Sequence, residues 1–97
     1  MKLAIEIPAL RPDTLKLTVD WVQHAEKLGC SIAFAAEAWW SDSVTPLAYL
    51  ADKTTSIMLA TRIMQTTART PAMTAMTALT LHDITRGRFV LRLEEHT

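Results

Sequence analysis

Apolar residues follow two rhythms along this chain, and the two alternate. Four short runs, "KLAIEI" (Lys2–Ile7), "SIAFAA" (Ser31–Ala36), "SIMLATRI" (Ser56–Ile63) and "RFVLRL" (Arg88–Leu93), are too short for helices and read as strands. Between them apolar positions recur at helical steps. In "DTLKLTVDWVQHAEKLG" the stripe is Leu15, Val19, Val22, Ala25 and Leu28, with Asp13 as the cap and Gly29 as the stop. Asp20 and Lys27 fall off that stripe, on a solvated side. "TPLAYLADKTT" starts a second helix, with Thr45 as N-cap and Pro46 at the first helical position. "RTPAMTAMTALTLHDITRG" repeats the signal with Thr70 and Pro71. Met73, Met76, Leu79 and Ile84 run down one side, which predicts packing against the sheet, and Gly87 closes the helix.

The order is therefore β-α-β-α-β-α-β. Strands alternating with helices predict a parallel sheet with right-handed crossovers. The second and third strands are apolar on both faces, as a covered sheet requires. No linker or low-complexity segment divides residues 1–97, so one domain is expected.

Composition narrows the function classes. The 97 residues are 49% hydrophobic and 21% charged, with a formal net charge of zero, an ordinary globular balance. Neutrality argues against nucleic acid, which calls for a basic stripe. No apolar run approaches the ~18 residues of a membrane span, and the start lacks the long apolar run of a leader. A cytoplasmic protein without membrane or nucleic-acid partners is expected. Cys30 is the single cysteine and His24, His82 and His96 form no metal-spaced pair, so no metal site is predicted. Cys30 reads as a small core residue. With glycine only at 29 and 87, a glycine-rich phosphate loop is ruled out.

In parallel α/β folds ligands bind beyond the carboxyl ends of the strands. Those ends are "PALRP", "EAWWSDS" and "QTTART". The second is the richest, bringing Glu37, Trp39, Trp40 and Asp42 into one loop. The tryptophans offer an apolar wall to a planar ligand or, equally, packing beneath the loop. Glu37 is a candidate general base or hydrogen-bond acceptor, and equally a partner for Arg62 or Arg69.

The stretch from Ala36 to Phe89 resembles the luciferase-like monooxygenase superfamily, and within it the coenzyme F-420-dependent branch. The resemblance rests on Glu37, Ser41, Asp42, Thr45 and Pro46; on Ile63-Met64-Gln65; on Ala68-Arg69-Thr70-Pro71, Met73 and Ala75-Met76; and on Gly87-Arg88-Phe89. It implies a TIM-type (β/α)8 barrel with the cofactor at the carboxyl ends of the strands. A barrel needs about 250 residues, so the implied fold is the first half of one, a partial domain ending after strand four. The implied activity is hydride transfer or monooxygenation with F-420 or, alternatively, FMN, on a small-molecule substrate. Glu37 is the implied catalytic residue, and Trp39, Trp40, Thr61, Arg62 and Ile63 the implied cofactor-facing set. The alternatives are a non-catalytic half-barrel that self-associates through open sheet edges, a homo-oligomer, and a truncated inactive relative.

The chain departs from the family pattern at four places. Trp40 stands where glycine is expected, Arg62 where a small residue is expected, and Arg86 where a second glycine is expected. At the end, Arg92 and Glu94 replace the two small residues of a Leu-Gly-Leu-Gly strand. With Leu91 and Leu93 toward the helices, both charges face the barrel interior. Unpaired charges there cost several kcal/mol each, against a whole-domain stability of about 5–15 kcal/mol. The expectation is an interrupted barrel in which these charges are solvated or paired, or a chain that leaves the family frame after residue 91.

Overall fold

A computed structural model describes residues 3–37, 42–62, 64 and 70–92. The elements are β1 (Ala4–Glu6), α1 (Leu15–Lys27), β2 (Ile32–Ala35), α2 (Val44–Lys53), β3 (Met58–Thr61), α3 (Pro71–Ile84) and β4 (Phe89–Val90). The four strands are parallel and lie in chain order, β1-β2-β3-β4. Each strand is shorter than the apolar run that announced it.

That order discriminates between α/β architectures. A right-handed crossover puts its helix on one side of the sheet, and the side changes only when the strand order reverses direction. Here it never reverses. All three helices therefore share one face, the arrangement of three consecutive βα units and a fourth strand of a TIM-type barrel rather than of a doubly wound sheet.

The register separates two faces. Ile5, Ile7, Ala33, Ala35 and Leu59 point toward the helices and join Val19, Val22, Leu47, Leu50, Ala51 and Ile57 in the core. Ala4, Ile32, Phe34, Ala60, Arg62 and Arg92 stand on the opposite face, where they line a shallow cavity. The apolar reading of both faces is thus right in composition, but helices cover only one. Cys30 is half-buried against the core and its thiol donates to the Leu3 carbonyl at 3.1 Å.

Helix starts and stops follow local chemistry. α3 begins as its sequence predicts: Pro71 opens it, and the Thr70 hydroxyl accepts the Met73 N–H at 3.1 Å. α1 differs, because Thr14 rather than Asp13 is its N-cap and no side chain caps it. α2 differs as well. Ser43 is the N-cap, and Thr45 lies inside the first turn. The Asp42 carboxylate takes both the Thr45 N–H (3.0 Å) and its hydroxyl (2.9 Å), drawing extra residues into the turn. Pro46 still sits in the first turn, where backbone N–H groups have no helical partner anyway.

Two expected apolar stripes are corrected. Leu28 is exposed, since it follows α1 as the C-cap and turns outward. In α3 the expected stripe of Met73, Met76, Leu79 and Ile84 is exposed instead of packed on the sheet. The inward residues are Thr74, Thr77, Ala78, Leu81 and Thr85, and only Leu81 and Thr85 are fully buried. Apart from Leu81 and Ala78 the inward residues are threonines, so a hydrophobicity pattern points to the wrong side. Met73, Met76 and Ile84 line a groove with Val44 and Ala48 of α2.

The amino end of the sheet is fastened by two charged side chains. Glu26 of α1 accepts the N–H groups of Thr55 and Ile57, at 2.9 and 2.8 Å, and that of Ser56 at 2.6 Å. Burial alone raises its pKa, but the hydrogen bonds from Ser56, Ile57 and Thr55 outweigh burial and hold it below the ordinary value of 4.5. Arg88, entering β4, spends its whole fork on the ends of the other elements. Nε reaches the Thr85 carbonyl, Nη1 the Thr54 hydroxyl and Ile57 carbonyl, and Nη2 the Ala51 and Thr54 carbonyls. Gln23 adds a bond to the Lys53 carbonyl at 2.8 Å.

After α3 the backbone is left-handed at two successive residues, Arg86 (φ 55) and Gly87 (φ 80). Glycine takes that conformation freely, whereas an L side chain is strained in it. The departure at Arg86 therefore has a backbone cost. Replacing it, Arg86→Gly, should raise stability by about 1 kcal/mol, read as a higher midpoint in urea unfolding; an unchanged or lower midpoint would contradict the strain. Glu26→Gln should cost about 1–2 kcal/mol near neutral pH. Because the folded pKa of Glu26 is depressed, its contribution is present above the unfolded value and fades as pH falls through the folded one. The gap between wild type and Glu26→Gln should accordingly narrow from pH 7 toward pH 3, and a constant gap would rule out the carboxylate as its source.

Candidate functional site

At the carboxyl end of β2 the chain turns through Glu37 into the loop leading to α2. Glu37 is half-buried, and its Oε2 accepts the Ser43 N–H at 3.1 Å. Two carboxylates, Glu37 and Asp42, thus meet the N-terminus of α2, where unpaired N–H groups and the helix dipole favour negative charge. Glu37 ties the end of the strand to the start of the helix. Trp39 and Trp40 belong to that loop and lie outside the described residues, as do Ile63 and Arg69.

Thr61 and Arg62 end β3 but point to opposite faces. Thr61 is fully buried on the helix side. Its hydroxyl accepts the Arg92 N–H and donates to the Arg92 carbonyl, both at 2.8 Å. This side chain faces the neighbouring strand rather than the open face. Arg62 does stand on the open face, with its guanidinium 4.8 Å from the centre of the Phe34 ring.

The β3–β4 ladder changes phase here. By the register Leu59↔Phe89, in which the Leu59 N–H meets the Arg88 carbonyl, the Arg92 carbonyl would face residue 63; it receives the Met64 N–H instead, at 2.8 Å. β3 thus carries one extra residue beyond Thr61. Bulges of this kind bend a strand and re-aim its side chains, and they are common beside binding sites. The Thr61 hydroxyl supplies the ladder contact that the shifted backbone gives up.

Arg92 is exposed and Leu91 half-buried, in keeping with the expected orientations; Glu94 lies outside the described residues. The open face thus runs from apolar ground (Ala4, Ile32, Phe34, Ala60) to two arginines at its carboxyl end. Of the candidate residues named from the sequence, Glu37 and Arg62 stand at the carboxyl ends of β2 and β3. Sequence reasoning missed Asp42 as the cap of α2, although an aspartate three residues before a Thr-Pro start is a capping signal.

Comparison with known proteins settles the family. A model described as luciferase-like monooxygenase matches residues 3–93. The chain belongs to the luciferase-like monooxygenase family. It is 39% identical over 93 residues to a Mycobacterium tuberculosis protein named as a coenzyme F-420-dependent oxidoreductase, covering 96% of this chain and 27% of that one. Among solved structures, the F-420-dependent tetrahydromethanopterin reductase of Methanopyrus kandleri matches 94% of this chain and 26% of its own, with a TM-score of 0.80 at 26% identity. Two others share the fold. A monooxygenase from Streptomyces bottropensis gives a TM-score of 0.84 at 22% identity, over all of this chain and 34% of that one. The oxygenating constituent of a Pseudomonas putida diketocamphane monooxygenase, solved with FMN, gives 0.78 at 21%, over all of this chain and 30% of that one. The chain spans about a quarter to a third of the length of these luciferase-like relatives. Among the described residues no helix is long and apolar enough to cross a membrane.

Ser43, between the two carboxylates, is fully buried, and its hydroxyl has no hydrogen-bond partner. Its backbone N–H, not its side chain, makes the contact with Glu37. Ser43→Ala should therefore leave stability unchanged or raise it by up to about 1 kcal/mol, although an N-cap serine ordinarily loses about that much on the same change. A clear loss in a thermal melt would show that the hydroxyl is engaged.

Proposed function

We propose that this chain supplies the amino-terminal part of the cofactor- and substrate-binding end of a luciferase-like oxidoreductase using coenzyme F-420, with FMN as the alternative. Family membership and the F-420-dependent relatives support the cofactor class. The observation that carries the reading is Glu37, held by the Ser43 N–H at the carboxyl end of β2, the end of a parallel strand beyond which ligands bind in such folds. In this reading Glu37 is the catalytic candidate. Trp39, Trp40, Arg62 and Ile63 face cofactor and substrate, and Thr61 contributes by setting the end of β4. A deazaflavin or flavin, when bound, supplies hydride transfer, and a reduced flavin also supplies oxygen activation.

The fit of such a group is partial. The described part of the open face encloses about 100 Å³, well below the ~300–1,000 Å³ of ordinary small-molecule sites. Ile32, Phe34 and Ala60 offer one apolar wall, but these residues alone do not enclose a three-ring system. The small-molecule substrate would have to be met mainly by residues outside this set.

A second reading is favoured by a separate observation. β1 and β4 are both edge strands, a recognised pairing liability. Beside β1, Leu17 and Trp21 are exposed, and Met73, Met76 and Leu79 are exposed on α3. A homo-oligomer formed by two such half-barrels, or an inactive partial relative, accounts for this surface without cofactor binding.

Titration of the purified chain with F-420 or FMN, followed by visible absorbance and by light scattering on the same samples, separates these readings. Saturable spectral change by high micromolar cofactor, lost in Glu37→Ala or Arg62→Ala, is the expected result for the first. No change, together with a dimer mass, would overturn it in favour of the second.

A further inference from the structure

Arg62 and Arg92 invite a comparison with Arg88. Arg88 is consumed by hydrogen bonds to the protein's own carbonyls and a hydroxyl. Arg62 and Arg92 instead line one cavity of about 100 Å³ on the open face, with Ala4, Ile32, Phe34 and Ala60 among its described walls. Arg62 is laid over the Phe34 ring. A guanidinium stacked by its face keeps its N–H edge directed outward, available to an acceptor. Arg92 is held through its backbone, since Thr61 both donates to it and accepts from it and Met64 donates to its carbonyl. Among the described residues no carboxylate bonds either guanidinium.

Like charges placed side by side on neighbouring strands destabilise a sheet unless something lies between them. Two arginines lining one small cavity with apolar neighbours suit a phosphate, which accepts from several N–H groups at once. We propose that Arg62 and Arg92 form a binding site for a small phosphate-class dianion, with Thr61 as the positioning residue that holds Arg92 beside Arg62. The site shares Arg62 and Thr61 with the reading above, but phosphate binding is read at the arginines themselves and requires neither the cofactor nor Glu37, so the two readings fail separately.

The test is a titration of the full chain with inorganic phosphate at low ionic strength, followed by NMR of the arginine Nε–H signals. Arg62 and Arg92 should shift together and saturate with one Kd in the millimolar range, while the exposed Arg11 and Arg86 should not saturate. Arg62→Gln or Arg92→Gln should weaken binding at the remaining arginine by roughly tenfold. Acetate, a single charge, should bind roughly tenfold more weakly than phosphate. Thr61→Ser, which keeps the hydroxyl, should preserve affinity; Thr61→Val, which removes it, should weaken binding severalfold. Linear shifts without saturation, equal response at Arg11, equal affinity for acetate, or unchanged binding in Arg92→Gln would each overturn the proposal. Should Thr61→Val fail to fold, the Arg92→Gln variant decides, because that side chain is exposed.

Discussion

The handedness of the crossover connection governs everything else in this molecule. Each β-α-β unit turns to the right, and the strands advance in one direction without reversal. Three helices are thereby confined to one face, and the other face is built from strand side chains alone. The core is one-sided, anchored by Leu47, Leu50, Ile57, Leu59 and Val22. The open face presents Phe34 and two arginines where a reversed strand order would have placed a helix.

The two ends of the sheet are held by different means. At the amino end, Glu26 and Arg88 bind segments about thirty or more residues away, joining α1 to the start of β3 and β4 to the ends of α2 and α3. At the carboxyl end the fastenings of the β2–α2 loop are local. Glu37 reaches a residue six positions on, and Asp42 one three positions on. In barrel enzymes the amino face serves stability and the carboxyl face serves chemistry, and the distribution of charged hydrogen bonds here follows that division.

Alternation, element order and the Thr70-Pro71 start were legible because local chemistry decides them. The family could be read from motifs in the α2 to β4 segment, and with it the barrel half. What was not legible depended on distant partners. The inward side of α3 and its end carries Thr74, Thr77 and Thr85 alongside Leu81, residues that, Leu81 apart, read as polar in a sequence. The start of α2 moved because Asp42, counted as loop, reaches into the helix. Glu26 and Arg88 look like surface charges in a sequence, since the backbone groups they satisfy are brought near only by the fold. Of the candidate residues, Glu37 and Arg62 stand at the ends of β2 and β3, while Thr61 shares the helix-side face of Leu59 by simple strand alternation.

The contrast between distant and local fastenings also bears on how the fold forms and changes. Contacts spanning some thirty residues require loops to close before they give anything back, so the amino-end clamps belong to late folding events, whereas the β2–α2 turn can organise early. The same separation means that the hydrogen bonds of Glu37 and Asp42 to the start of α2 and those of Glu26 and Arg88 at the opposite end share no residue, so a substitution at one end leaves the other end's fastenings in place.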